Sequence, residues 1–262
     1  MKKSGDSFQD INPTQDMTTQ VVASFNQSFE KGDLVDTFSQ IGEIAIDQVI
    51  GNPLLKEIPV LSLLVSGYKA VLDIKSYNMT QKVIRFLYHL KETTPEQRQQ
   101  FSRKYCEANQ EETAAALLDI LDKLNNKNYV SIVCNLIKAV IDEHLTIPQF
   151  NRLIMALQRT SYTDLLQLGN YIEDYDEEGL SDALLSSGLI YQSVLDGGSD
   201  EGENNSRFKI SPNGLLMLRF GFKKEDIYDM PRSITVQTGI KALSENELDA
   251  LWGEDNGVKS LI

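Results

Sequence analysis

Residues 58–68 (IPVLSLLVSGY) run for eleven positions without a charge in a chain whose formal net charge is −13. An acidic protein has few places to put such a segment. As a helix it would be apolar all round, the pattern of a helix at the centre of a core. Its other destination is an interface. Eleven residues fall short of the ~20 that span a bilayer, but with the helix before them they would make an interfacial hairpin. Ile58, Leu61, Leu64, Val65 and Tyr68 are therefore the candidate contacts for a membrane or for assembly. The core position is the plainer reading of the same residues.

The surrounding chain has helical spacing. Val21, Val22, Phe25 and Phe29 share one face, and Leu34 to Val49 carry a second apolar stripe that Gly51, Asn52 and Pro53 stop. Short amphipathic helices follow. Thr94-Pro95-Glu96-Gln97 and Thr146-Ile147-Pro148-Gln149 each read as a helix start with Pro in the first turn. The connectors are short, which favours antiparallel neighbours in a bundle.

The pattern changes near Glu177. A helix ending at Gly188 leads into an apolar run over 189–195, a polar loop over 196–206 (DGGSDEGENNS) and an alternating Arg207-Phe208-Lys209-Ile210. Ser211-Pro212 then starts another helix. Helix, strand, loop, strand, helix is the order of a winged-helix module. The expected fold is mainly α, an antiparallel helical bundle with a C-terminal winged-helix-like α+β module. Its expected divisions are a flexible tail (1–16), an N-terminal apolar helical hairpin region (17–78), the helical bundle (79–175), the winged-helix-like module (176–224) and a C-terminal tail with a short helix (225–262).

Motifs for chemistry are missing. The sequence holds no Walker phosphate loop, no G-x-G-x-x-G, no H-E-x-x-H, no paired C-x-x-C and no G-x-S-x-G. Its two histidines, His89 and His144, read as an edge residue of an apolar stripe and a cation near a helix C-terminus. The acids from Glu173 to Asp182 lack the spacing of a calcium loop and read as solvated surface. No catalytic residue, metal or cofactor is expected, and no small-molecule substrate is evident. Cys106 and Cys134 sit in apolar helical settings, which suits a reducing compartment. The opening residues lead into no apolar run, so no signal peptide is expected. The expected location is the cytoplasm, with peripheral association at the inner membrane as the second option.

One patch opposes the global acidity. Arg207, Lys209, Arg219, Lys223 and Lys224 fall together without an acid between them, as contacts for phosphate or an acidic partner. The wing loop carries Asp200, Glu201 and Glu203, which repel phosphate, so a protein partner fits this layout better than nucleic acid.

Residues 184–190 (LLSSGLI) and 208–217 (FKISPNGLLM) are together similar to the end of bacterial abortive-infection alpha-type proteins, where a Gly-Leu-Ile … Tyr-x-Leu-Thr-x-x-Gly pattern closes the chain. Residues 54–61 (LLKEIPVL) and 82–87 (KVIRFL) resemble bacterial proteins with an apolar Lys-x-Ile-Pro hairpin ahead of a helical domain, a group linked to phage defence. The resemblance implies a non-enzymatic anti-phage protein that works through protein–protein or membrane interaction. A protein partner or self-association is expected, with a membrane engaged after activation. The alternative is a winged-helix interaction module or transcriptional regulator that binds nucleic acid.

Overall fold

In a computed structural model the chain is mainly α-helical, with one two-stranded sheet. The structure describes residues 13–31, 34–39, 53–71, 73–106, 110–172, 182–194 and 206–223. The chain divides into two compact units, Met1–Asp122 and Lys123–Ile262. The stripe over 41–49, the acids at 173–178, the wing loop, Lys224 and the tail helix at 244–252 lie outside the described residues.

The N-terminal unit contains α1 (Pro13–Lys31), α2 (Leu34–Ser39), a 3-10 helix (Pro53–Glu57), α3 (Pro59–Val71), α4 (Ile74–His89), α5 (Pro95–Tyr105) and α6 (Gln110–Lys123). α1 begins four residues ahead of the apolar spacing that starts at Met17. A proline at the first helical position has a suitable φ and no N–H to leave unsatisfied. The α1 stripe buries Phe25 and Phe29, which meet Phe86 of α4 at ring distances of 5.8 and 6.0 Å. Phe101 of α5 closes the cluster edge-on to Phe29 at 6.4 Å. Burying each ring contributes about 1.5–3 kcal/mol.

Helix ends in this unit are tied by side chains, some local and some from other helices. Thr94 Oγ1 accepts the Gln97 N–H (3.3 Å) while Gln97 Oε1 accepts the Thr94 N–H (2.8 Å), a reciprocal cap at the helix start that the sequence announces. The Val60 N–H, in the first turn of α3, donates to Ser28 Oγ of α1 at 3.2 Å. Lys82 Nζ donates to the Leu121 and Asp122 carbonyls in the last turn of α6, at 2.9 and 3.2 Å. Burial lowers the Lys82 pKa from its ordinary value, with Asp122 offsetting part of that. Arg98 is 1% exposed. It donates to the Phe29 carbonyl in the last turn of α1, to the Thr93 carbonyl, and to Thr93 Oγ1 at 3.2 Å.

The C-terminal unit contains α7 (Tyr129–Ile141), α8 (Ile147–Arg159), the short α9 (Tyr162–Leu165), a 3-10 helix (Leu168–Tyr171), α10 (Asp182–Ser186), β1 (Ile190–Val194), β2 (Ser206–Ile210) and α11 (Pro212–Gly221). α7 is buried nearly all round, through Val130, Val133, Leu136, Ile137 and Val140 among others, and α8 and α11 pack on it. The α7–α8 turn puts Glu143 at φ 63°, with His144 N–H on the Ala139 carbonyl and Glu143 N–H on the Val140 carbonyl. That is a Schellman ending with an acid where glycine is usual. By spacing alone, Leu165, Leu168 and Ile172 fit one helix. The chain instead makes α9, a turn at Leu166-Gln167 and the 3-10 helix, with Gly169, a poor helix former, inside the latter.

β1 and β2 pair antiparallel, with Ile190 opposite Ile210 and Gln192 opposite Phe208. Ile190, Phe208 and Ile210 are buried, as strand alternation requires. Gly188 ends α10 at φ 77° as the sequence suggests. The same loop grips α11: Ser211 Oγ caps it by accepting the Gly214 N–H (3.0 Å) and donates to the Gly188 carbonyl (2.6 Å). Gly214 lies so close beneath this loop that an added Cβ would fall 2.2 Å from the Leu189 carbonyl oxygen. Gly214→Ala is therefore expected to destabilise the C-terminal unit by about 1–3 kcal/mol, because backbone rather than a movable side chain blocks the methyl. Urea unfolding of the variant measures this. An unchanged midpoint would mean the hairpin shifts freely away from α11.

Candidate functional site

α3 divides the uncharged segment between two environments. Ile58 precedes it and is buried, as are Val60, Leu61 and Val65 of the helix, Leu61 completely. Leu63, Leu64 and Gly67, which share a face by the helical period of 3.6, instead line a cavity. Leu64 is half-buried there. The Tyr68 side chain lies outside what the structure describes. Of the candidate interface residues, Ile58, Leu61 and Val65 thus belong to the core, whereas Leu64 lines an open-sided cavity.

That cavity has a volume of about 540 Å3 and is formed entirely within the N-terminal unit. Met17 and Val21 from the start of α1 form one wall, Leu63 and Leu64 of α3 a second, and Met79 of α4 the third. Its volume and apolar walls match those of ligand sites, which usually carry a few polar groups to fix orientation. Here the polar groups are Lys75 and Ser76 in the first turn of α4, Thr80, Ser66, and Asp122 in the last turn of α6. Lys75 Nζ lies 3.9 Å from Asp122 Oδ2, with the lysine side chain 80% exposed, so this pair is weak. Asp73 caps α4 by accepting the Ser76 N–H at 3.3 Å, which holds the turn carrying Lys75. Met17 and Ile74 are exposed large apolar side chains in the same part of the unit.

Gly67 is the position that a local reading passes over. It sits inside α3, where glycine costs about 0.5–1 kcal/mol relative to alanine. Among the described residues, a Cβ built on it meets nothing within 4 Å beyond its own stretch of helix. The packing of this unit therefore does not call for glycine there, and the missing side chain leaves space in the cavity.

The basic residues of the C-terminal unit are arranged differently. Lys209 stands across the sheet from Tyr191 and is half-buried. Arg219 lies over the Phe220 ring at 5.2 Å, and that ring stacks on His144 at 5.5 Å with an interplanar angle of 15°. Lys223 is exposed just beyond α11. The structure does not describe the Arg207 side chain or any part of Lys224. His144 is thus stacked on an aromatic ring at the end of α7, and His89 meets Tyr88 edge-on at 5.7 Å. Cys134 is buried, which pushes its thiol pKa far up. Cys106 donates to Glu112 Oε2 at 3.1 Å.

Among the described residues, no helix is long and apolar enough to cross a membrane, and no three His, Cys, Asp or Glu side chains gather as a metal site. No family model matches the sequence, and neither the curated proteins nor the solved structures contain a match to it.

Proposed function

We propose that this chain is a non-enzymatic bacterial defence protein of the abortive-infection type, acting through contacts made at the apolar cavity of its N-terminal unit. The observation that carries this reading is the division of α3: Val60, Leu61 and Val65 are anchored in the core, while Leu63, Leu64 and Gly67 line a cavity of about 540 Å3. The anchored side decides between two modes of action. Taking Ile58, Val60, Leu61 and Val65 out of the core would forfeit about 6–12 kcal/mol, at about 1.5–3 kcal/mol each. That is comparable to the whole stability of a domain, about 5–15 kcal/mol. α3 therefore works in place, and its cavity side meets the partner. The resemblance of residues 184–190 and 208–217 to abortive-infection alpha-type proteins supplies the biological setting.

The test is phage challenge of bacteria expressing the full chain or a Leu63→Asp, Leu64→Asp variant. Both positions line the cavity, so the variant is expected to fold, and a melting curve checks that it does. Protection by the parent chain and its loss in the folded variant is the expected result. No protection by the parent removes the defence reading, whereas full protection by the folded variant removes the cavity from it.

The hairpin β1–β2 between α10 and α11 favours a second reading, in which the C-terminal unit is a winged-helix-like interaction module. Arg219, Lys209 and Lys223 then meet phosphate or an acidic protein surface. If the partner is nucleic acid, affinity for a short random duplex falls steeply with salt and with loss of Lys209, Lys223 and Lys224. Absence of binding at low salt leaves the acidic protein as the partner.

A further inference from the structure

We infer that the cavity of the N-terminal unit is a binding site for a single-chain amphiphile with an anionic head, such as a free fatty carboxylate. This rests on the same cavity as the proposed function and names what occupies it. Three observations converge. The first is size and lining: about 540 Å3 walled by Val21, Leu63, Leu64 and two methionines, Met17 and Met79. Thioether side chains adapt to an alkyl chain at little energetic penalty.

The second is the charge at one end. Asp122 has two ammonium groups near it, Lys75 Nζ 3.9 Å from its carboxylate and Lys82 Nζ 3.2 Å from its main-chain carbonyl oxygen. Lys82 is occupied with the α6 carbonyls. Lys75 belongs to the cavity lining, its partner contact is long, and its side chain is mostly in solvent. Two cations share one carboxylate, which leaves this end able to accept one more negative charge. A carboxylate head at Lys75 supplies it, with the Ser76 and Thr80 hydroxyl groups nearby in the lining.

The third is Gly67. Glycine weakens a helix interior, and close approach of the backbone to a ligand is one use for it there. Among the described residues, nothing beyond its chain neighbours and its own helix backbone comes within 4 Å of where its Cβ would be. An alkyl chain lying along α3 is the object that the bare backbone accommodates.

Isothermal titration of the full chain with dodecanoate below its micelle concentration tests this. The expected result is saturable binding at one site, weakened about tenfold by Lys75→Glu, the scale of a charge-assisted contact turned into a repulsion. Gly67→Leu, whose Cβ meets nothing among the described residues beyond its own helix, places a side chain in the cavity and is expected to keep or raise stability while abolishing binding. A wild-type measurement stands beside the variants: dodecanoate should slow hydrogen exchange in α3 and in the first turns of α4. Absence of saturable binding overturns the inference, as does undiminished binding by a folded Gly67→Leu protein. Equal affinity for dodecyltrimethylammonium, or adsorption to phosphatidylglycerol vesicles without binding of free dodecanoate, also overturns it. Dodecanoate binding without phage protection would leave the inference standing and remove the defence reading.

Discussion

Phe86→Ala is expected to destabilise the N-terminal unit by about 3–5 kcal/mol, near the upper end for a core truncation. Phe86 is fully buried, tilted against Phe25 at 5.8 Å and stacked on Phe29 at 6.0 Å. Its loss removes the ring where α1 and α4 meet. Those helices have no large side chain free to fill the gap, because Phe25 and Phe29 already stack on each other at 6.1 Å. Urea unfolding monitored by circular dichroism reads the effect as a lower midpoint. A shift corresponding to less than ~1 kcal/mol would show that the aromatic cluster is not the centre of this core. Phe86→Leu should recover about half of the loss, since it keeps most of the buried apolar area.

Arg98→Ala is expected to destabilise the same unit by about 3–5 kcal/mol, through a different mechanism. The guanidinium satisfies carbonyls that the helix ladder cannot: Phe29 at the end of α1, and Thr93 just before α5. Each buried carbonyl left without a donor costs about 1–3 kcal/mol. The alkyl stem of a 1% exposed side chain is lost with it. Arg98→Lys should not rescue the protein, because one ammonium cannot reproduce a fork aimed at two carbonyls. Full stability of Arg98→Lys would show that charge alone, rather than planar geometry, matters at this site.

Neither of these positions is equally visible in the sequence. Phe86 falls on an apolar stripe with Val83, Leu87 and Leu90, and burial follows from the spacing. Arg98 lies in a polar helix, PEQRQQFSRKY, where a long cation would normally be placed in solvent. Its partner Phe29 is 69 residues away, and no local period reports a contact of that kind. Caps are at the other extreme. The Thr94 and Thr146 boxes, the Ser211-Pro212 start and the Gly188 stop depend on residues within three or four positions of one another, and the structure has all four.

The candidate site shows the same limit. That residues 58–68 lacked charge was evident from the start, but Leu61 and Leu64 are the same residue type three positions apart. One is fully buried and the other lines the cavity. What separates them is the placement of the α1 and α4 ends over α3, a long-range arrangement. Met17, Met79 and Lys75 come from those ends, and Asp122 from α6. Nothing in their own neighbourhoods marked them as one site. Gly67 did carry a signal, a glycine in the middle of a helical stretch, which gains its meaning only once the space beside it is known.

The central claim is that α3 acts from within the core. Hydrogen exchange of the full chain, with and without phosphatidylglycerol vesicles, tests it most directly. The account predicts that the amides of Leu61 to Val65 exchange as slowly as the most protected part of the N-terminal unit, and that vesicles leave them so. Loss of that protection on adding vesicles, while α4 keeps its own, would mean that α3 leaves the core for the bilayer, and would contradict the account.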